Sequence, residues 1–429
     1  MQHLIATFKK YSLKISGFTL VFAFVKFNSF SAALLLSNFM EELAGFGLFE
    51  YALALGLILA QSLNIGLEGA YPFFNLRLKR AGYRSIFYFH GIIVCSLVLF
   101  FLGGQYIELL NISDKYFLTS LIAGIIALQV LMSVILKSHE QIYPAVILEG
   151  GLFLILNLYN LYLYYTGKKG DFQEIKLVFT IYLVGLLAFY VFRFLKTKAD
   201  FSWDKYREII RFGYPILLSA FLIVALTGTA RIIIEIFLGL EEVAIYGLYF
   251  RFAIITVLLH QVVNIAFFKT LYQSDTKTLD KWFAGFLIFL LGVSLLVYPL
   301  VPKFLIPYFQ LMASTWAEAK LLFMILNFQM LFWIGVALFE NIIYREQLSP
   351  KMNIYLFVLL GLMISIVIGV NQLGILSTVS ITLINTLILF LAFEAQSFLL
   401  AKKGLHFPKA RLIGRVLVIA LLLSHVLLF

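Results

Sequence analysis

The chain has 429 residues, of which 62% are hydrophobic and only 13% charged, with a net charge of +11 and a mean hydropathy of +0.98. Soluble domains hold about 25% charged residues, so a water-exposed globular surface is excluded. One cysteine, Cys95, excludes an intrachain disulfide and any cysteine-based metal site, and the six histidines show no ligand spacing.

Apolar stretches of about 20 residues, the length that crosses a bilayer core, predict spans at 15–40, 51–75, 87–107, 116–136, 142–165, 175–195, 214–238, 244–268, 282–302, 318–343, 352–371 and 377–401. The N-terminal basic start, Lys9, Lys10 and Lys14, precedes an apolar run too long for a signal peptide and reads as a retained first helix. A shorter segment, 412–429, is either a thirteenth span or an interfacial helix. The fold class is therefore an all-α polytopic membrane protein.

Basic residues test this scheme. With the N-terminus cytoplasmic, the inside segments hold 24 Lys and Arg, the outside loops 6, and the spans 3: Lys26, Arg231 and Arg251. That asymmetry obeys the positive-inside rule. It accounts for the net charge through an anionic cytoplasmic leaflet, so anionic membrane lipids are expected partners and nucleic acid is not.

Residues 41–65 recur at 241–265 without a gap. Glu41, Glu42, Ala44, Gly47, Leu48, Leu59, Gln61, Asn64 and Ile65 are matched by Glu241, Glu242, Ala244, Gly247, Leu248, Leu259, Gln261, Asn264 and Ile265. Five of these nine identities are Glu, Gly, Gln or Asn, which apolar bias does not explain. Six spans separate the copies, so both copies keep one orientation, as in a parallel repeat. The expected organisation is a six-helix lobe at 1–195, a charged cytoplasmic linker at 196–213, a second six-helix lobe at 214–401, and a basic loop with the apolar segment at 402–429.

Intramembrane charge costs about 2.5–3.5 kcal/mol per residue on insertion scales, so it marks function or pairing. Lys26 has no acid one turn away, and neither does Arg251. Both are candidate cations for an anion in a cavity between the lobes, against the alternative of an acid on another helix. Arg231 is a third candidate, with Glu235 one turn away as a local ion-pair alternative. Gln61, Asn64 and Glu68 fall on one helical stripe, and Gln261, Asn264 and His260 form its partial repeat. This stripe is either a polar cavity wall with coupling at Glu68 or His260, or interhelical hydrogen bonding. Gly66, Gly69 and Pro72 predict a bend or close packing beside Glu68. The paired acids Glu41-Glu42 and Glu241-Glu242 read as solvated outer turns. No phosphate loop, catalytic triad or metal cluster appears, so neither an enzyme nor a cofactor is expected.

The segment Phe46-Gly47-Leu48-Phe49-x-Tyr51, then Gly66-Leu67-Glu68-Gly69-Ala70 and Pro72-Phe73-Phe74, resembles the second-helix region of bacterial polysaccharide flippases. These are the O-antigen (Wzx-type) members of the multidrug/oligosaccharidyl-lipid/polysaccharide exporter superfamily. Phe212-Gly213-Tyr214-Pro215 resembles the start of their seventh helix. The resemblance implies two six-helix lobes around a cationic cavity in the bacterial cytoplasmic (inner) membrane. It also implies an undecaprenyl-diphosphate-linked oligosaccharide as cargo, with other polysaccharide-assembly proteins as candidate partners. Related lipid flippases carry essential cations on helices one, two and eight. Lys26 and Arg251 match the first and third, while no basic residue lies between Tyr51 and Asn75 of helix two. Two other readings stay open: a cation-coupled antiporter of the same fold, with carboxylates in its lobes, and a polysaccharide polymerase, which needs a larger outer loop than any here.

Overall fold

A computed structural model describes residues 2–78, 80, 82–106, 113–261 and 274–428. It is helical throughout, without a named strand among the described residues; Met40 and Gly170 form one isolated bridge. The helices are α1 (Gln2–Phe39), α2 (Leu43–Asn64), α3 (Leu67–Pro72), α4 (Arg84–Tyr106), α5 (Asp114–Ser138), α6 (Ile142–Glu149), α7 (Gly151–Thr166) and α8 (Phe172–Thr197). They continue as α9 (Trp203–Leu238), α10 (Leu240–Ala253), α11 (Ile255–Gln261), α12 (Thr276–Leu305), α13 (Gln310–Arg345), α14 (Ser349–Gln372), α15 (Thr378–Ala401) and α16 (Pro408–Leu428).

Ten of these helices, or stretches of them, are long and apolar enough to cross a membrane. Counting each of the bent pairs α6–α7 (57°) and α10–α11 (45°) as one span gives twelve. The chain is thus an all-α, multi-pass membrane protein, with helices where each apolar stretch predicted one. Residues 412–428 belong to α16, a continuous helix that starts at Pro408 and packs on α12, α13 and α15. It is not among the ten.

The chain divides into two compact units: 1–45 with 52–220, and 46–51 with 221–429. These differ from the expected lobes in two places. The division falls inside α9, because residues 203–213 are the first turns of that 36-residue helix. Residues 46–51 of α2 belong to the second unit.

In the first unit, α7 is fastened to α1 by side-chain amides. Asn157 Nδ2 donates to Asn28 Oδ1 at 2.8 Å, and Asn160 Nδ2 donates to the Ala32 carbonyl at 2.7 Å. Such bonds hold helices together where the hydrophobic effect between them is weak. Polar contacts join helix ends that the charge rule puts on one side. Lys176 at the start of α8 pairs with Asp114 at the start of α5, and both belong to expected outer ends. Arg80 pairs with Glu208 at 2.8 Å, linking two expected inner segments. In the second unit, Gln329 Nε2 of α13 donates to Asn385 Oδ1 of α15 at 2.5 Å, and Asn385 Nδ2 donates to the Leu226 carbonyl of α9 at 2.9 Å.

The second span breaks at Ile65 and Gly66, both in the left-handed region (φ 51° and 70°), so α2 and α3 are separate helices. A π-helical turn, Phe73–Arg77, follows Pro72. The expected interruption is present as a full helix break, because two consecutive left-handed residues cannot continue a right-handed helix. Gly66 is required there. A Cβ on it would overlap the backbone carbonyl of Gly213 in α9, and one on Gly213 would come within 2.6 Å of the Ile65 carbonyl oxygen. Gly66→Ala should therefore cost at least about 1–2 kcal/mol from the left-handed conformation alone, with the backbone overlap added. A lowered midpoint of thermal unfolding in detergent, matched by Gly213→Val, would verify this; unchanged midpoints in both would disprove the close approach.

Candidate functional site

The duplicated glycines position the site. Gly47 of α2 lies against the start of α10, where a Cβ would overlap the Leu240 carbonyl and approach the Ala244 nitrogen. Gly247, its repeat partner on α10, lies against the Glu50 side chain, 2.6 Å from where a Cβ would sit. The two copies of the motif thus touch each other through glycines, and the missing side chain at 247 makes room for a carboxylate.

That carboxylate is fully buried: Glu50 is 0% exposed. Its Oε1 accepts a hydrogen bond from Arg251 Nε of α10 at 2.5 Å. Its Oε2 lies 3.6 Å from Arg231 Nε of α9. Arg231 also stacks its guanidinium on Phe250, 4.2 Å from the ring centroid, with Tyr246 on a second side at 5.9 Å. Both arginines are buried. The cluster carries two positive charges and one negative, a surplus of +1. Removing a charge pair from water is repaid only when the geometry is good and the remaining polar atoms are bonded. The 2.5 Å bond from Arg251 meets the first condition, while Glu50 Oε2, Arg231 Nε and one terminal nitrogen of Arg251 have no hydrogen-bond partner among the described residues. Arg231 has the longer contact and relies on aromatic faces, which attract cations.

Sequence reasoning placed Arg231 and Arg251 among the charged residues of interest but passed over Glu50. For Arg231, beside the local alternative Glu235, the structure brings up an acid from another helix, Glu50, 3.6 Å from its Nε. The lack of an acid one turn from Arg251 is real, and the acid comes from α2. A signal existed. Glu50 is a carboxylate in an apolar stretch, and the 200-residue offset sets Glu50-Tyr51 against Phe250-Arg251. The opposite charges stand where the repeat diverges.

Lys26 lies in the first unit, half-buried, with its Nζ 5.4 Å from the Phe22 ring centroid. Among the described residues it has no ion pair within 4 Å. Its charged neighbours are Glu149 and Lys137, and Glu149 already binds Lys137 at 2.5 Å and Ser133 Oγ at 2.6 Å. Lys26 therefore faces an acid on another helix, the α6–α7 pair, across a carboxylate that is shared rather than its own.

The polar stripe of helix two is interrupted. Gln61 and Asn64 end α2, whereas Glu68 starts α3 beyond the break, so the regular spacing that joined them does not hold. Left-handed Ile65 and Gly66 are the cause. Asn64 is fully buried, and neither of its side-chain polar atoms has a hydrogen-bond partner among the described residues; Glu68 Oε2 is likewise without one. In the second unit His260, buried against Phe286, and Gln261 end α11. Asn264 lies outside the described residues. Glu41, Glu42 and Glu241 are exposed as expected. Glu242 differs: it is in the first turn of α10 and accepts a hydrogen bond from Thr378 Oγ1 of α15.

No protein-family profile matches the chain, and neither curated proteins nor solved structures give a significant match.

Glu50→Ala should destabilise the protein by about 3–5 kcal/mol, because it leaves two buried arginines without their counter-charge. The triple replacement Glu50→Leu, Arg231→Met, Arg251→Met should recover most of that loss, since apolar groups of similar volume are often neutral in place of a buried ion pair. Unfolding in detergent compares the variants. Equal stability of Glu50→Ala and wild type would contradict a structural role for the pair.

Proposed function

We propose that this protein translocates an anionic, lipid-linked oligosaccharide across the bacterial cytoplasmic membrane, with an undecaprenyl-diphosphate carrier as the lipid. The observation that carries this reading is the buried cluster of two arginines sharing one glutamate. A surplus positive charge inside a membrane protein favours an anion, and arginine's planar fork suits phosphate oxygens. The multi-pass helical architecture, with ten to twelve candidate spans, and the resemblance of 46–76 to flippase sequences support it.

Glu50 then acts as an internal stand-in for the cargo. While the arginines are closed off from solvent, the carboxylate neutralises part of their charge. When the site opens, a diphosphate competes for the same guanidinium groups, and its release lets Glu50 re-form the pair. A ligand shifts a conformational equilibrium only through different affinity for the two states, and an arginine pair alternating between Glu50 and phosphate supplies that difference. Lys26, the other unusual cation of the spans, is assigned a separate charge contact with the cargo in this reading. The broken second span allows local movement at low cost, because the helical hydrogen bonds are already interrupted at 65–66.

One observation favours a second reading, cation-coupled transport. Glu50 is a fully buried carboxylate and Glu68 a half-buried one, and carboxylates in the spans suit a proton or sodium ion. Transport into proteoliposomes with and without a pH gradient separates the two. Coupling through Glu68 or His260 predicts that the double substitution Glu68→Gln, His260→Ala abolishes gradient dependence.

Lys26→Ala and Arg251→Ala should each abolish surface polysaccharide in a strain lacking the native protein, at normal protein level in the membrane. Lys26→Arg should retain function in part, because charge matters more than shape for a hydrated headgroup. The stable apolar triple variant should fold yet fail to transport. Full complementation by both alanine variants would refute the flippase reading.

A further inference from the structure

A second concentration of positive charge lies in the second unit, away from the buried arginines. Lys351 near the start of α14 and Lys402 and Lys403 just beyond the end of α15 line a cavity of about 280 Å³ with Leu348, Ile354, Tyr355 and Leu399. The lining holds three ammonium groups and no carboxylate. The two nearest acids in sequence are engaged elsewhere: Glu346 with Arg345, and Glu394 with Arg411 and Arg415. Among the described residues none of the three lysines has an ion-pair partner.

Helix dipoles explain only part of this. Lys402 and Lys403 follow the C-terminus of α15, where a cation is favoured. Lys351 is in the first turn of α14, whose N-terminus already carries partial positive charge, so a lysine there is disfavoured. An anion in the cavity removes that penalty by neutralising the charge at the helix start.

The surroundings identify the kind of anion. From the cavity, α14 presents Ile354, Phe357 and Val358, all well exposed, and α15 adds exposed Phe398, over whose ring Lys402 Nζ sits at 4.4 Å. A charged pocket that continues into an exposed apolar strip on a membrane-spanning helix matches a headgroup and an acyl chain together. A free phosphate would use the lysines and leave the strip bare. The positive-inside pattern places these helix ends at the cytoplasmic leaflet, where anionic lipids are found.

We propose that Lys351, Lys402 and Lys403 form a discrete binding site for the phosphate headgroup of an anionic phospholipid, with an acyl chain along Ile354, Phe357 and Val358. The site is independent of the transport reading and narrows the general attraction of basic loops for the membrane to one pocket. Basic pockets between helix ends at the cytoplasmic side bind phospholipid headgroups in this way. Each lysine near the surface contributes about fivefold in affinity, so three give roughly a hundredfold.

The test uses the delipidated full-length protein in neutral detergent. Phosphatidylglycerol should raise the unfolding midpoint, whereas phosphatidylcholine and inorganic phosphate should not. The combined Lys351→Ala, Lys402→Ala, Lys403→Ala variant should bind phosphatidylglycerol roughly a hundredfold more weakly by the same titration, and the triple arginine variant should keep it. A photoactivatable phosphatidylglycerol on wild type should label peptides spanning 348–358 and 398–403, which keeps the test decisive if the alanine variant does not fold. Equal stabilisation by inorganic phosphate would make this a soluble-anion site and overturn the proposal. Undiminished lipid binding by the alanine variant, or labelling confined to other helices, would overturn it as well.

Discussion

A charge removed from water must be matched by another charge, and Glu50 is where this chain meets that constraint. In an apolar helix an isolated carboxylate or guanidinium is expensive enough to oppose insertion. Glu50, Arg231 and Arg251 share the cost. The match requires three segments to meet: 46–51 of α2, the interior of α9 and the end of α10. It also requires Gly247, because a side chain there would occupy the volume of the carboxylate. A short stretch of α2 consequently belongs to the second unit while the rest of that helix belongs to the first.

The repeat gains a physical meaning from this contact. Gly47 and Gly247 occupy equivalent positions in the two copies, and both mark places where α2 and α10 come close. Identical residues serve the shared need for close packing. Residues that differ between the copies, Glu50 against Phe250 and Tyr51 against Arg251, supply the opposite charges and the aromatic face on which Arg231 rests. Duplication accounts for the packing, and divergence for the electrostatics. The same division of labour underlies the functional reading, since a symmetric pair of copies would carry either two acids or two bases at these positions.

Breaks in the spans form a second group of features. The helix ends at Ile65–Gly66, bends by 57° between α6 and α7, and bends by 45° between α10 and α11. Interrupted backbone inside a membrane protein is tolerated where neighbouring protein satisfies or covers it. Here the break at 65–66 is packed against Gly213, and Gly150 of the α6–α7 bend packs against Val25 of α1. These sites concentrate near the residues that the functional reading uses. Gln61, Asn64 and Glu68 flank the first break, Lys26 is next to Val25, and Arg251 is three residues before Ile254, where α10 gives way to α11.

Composition and periodic apolar runs were sufficient to read the class and the helical nature of the spans. Those properties depend on local sequence and on the thickness of a bilayer. Helix ends that the span order groups together do meet, as Lys176 with Asp114 and Arg80 with Glu208. The unusual residues Lys26, Arg231 and Arg251 were also legible, because a charge in an apolar run stands out alone. Their partners were not. Glu50 is 181 residues from Arg231 and 201 from Arg251 along the chain, and no local rule brings such positions together. The polar stripe from Gln61 to Glu68 was misread for a related reason: helical spacing assumes an unbroken helix, and two left-handed residues end that assumption. Pairing of distant charges and interruption of a helix are settled by packing between helices, which only the tertiary structure decides.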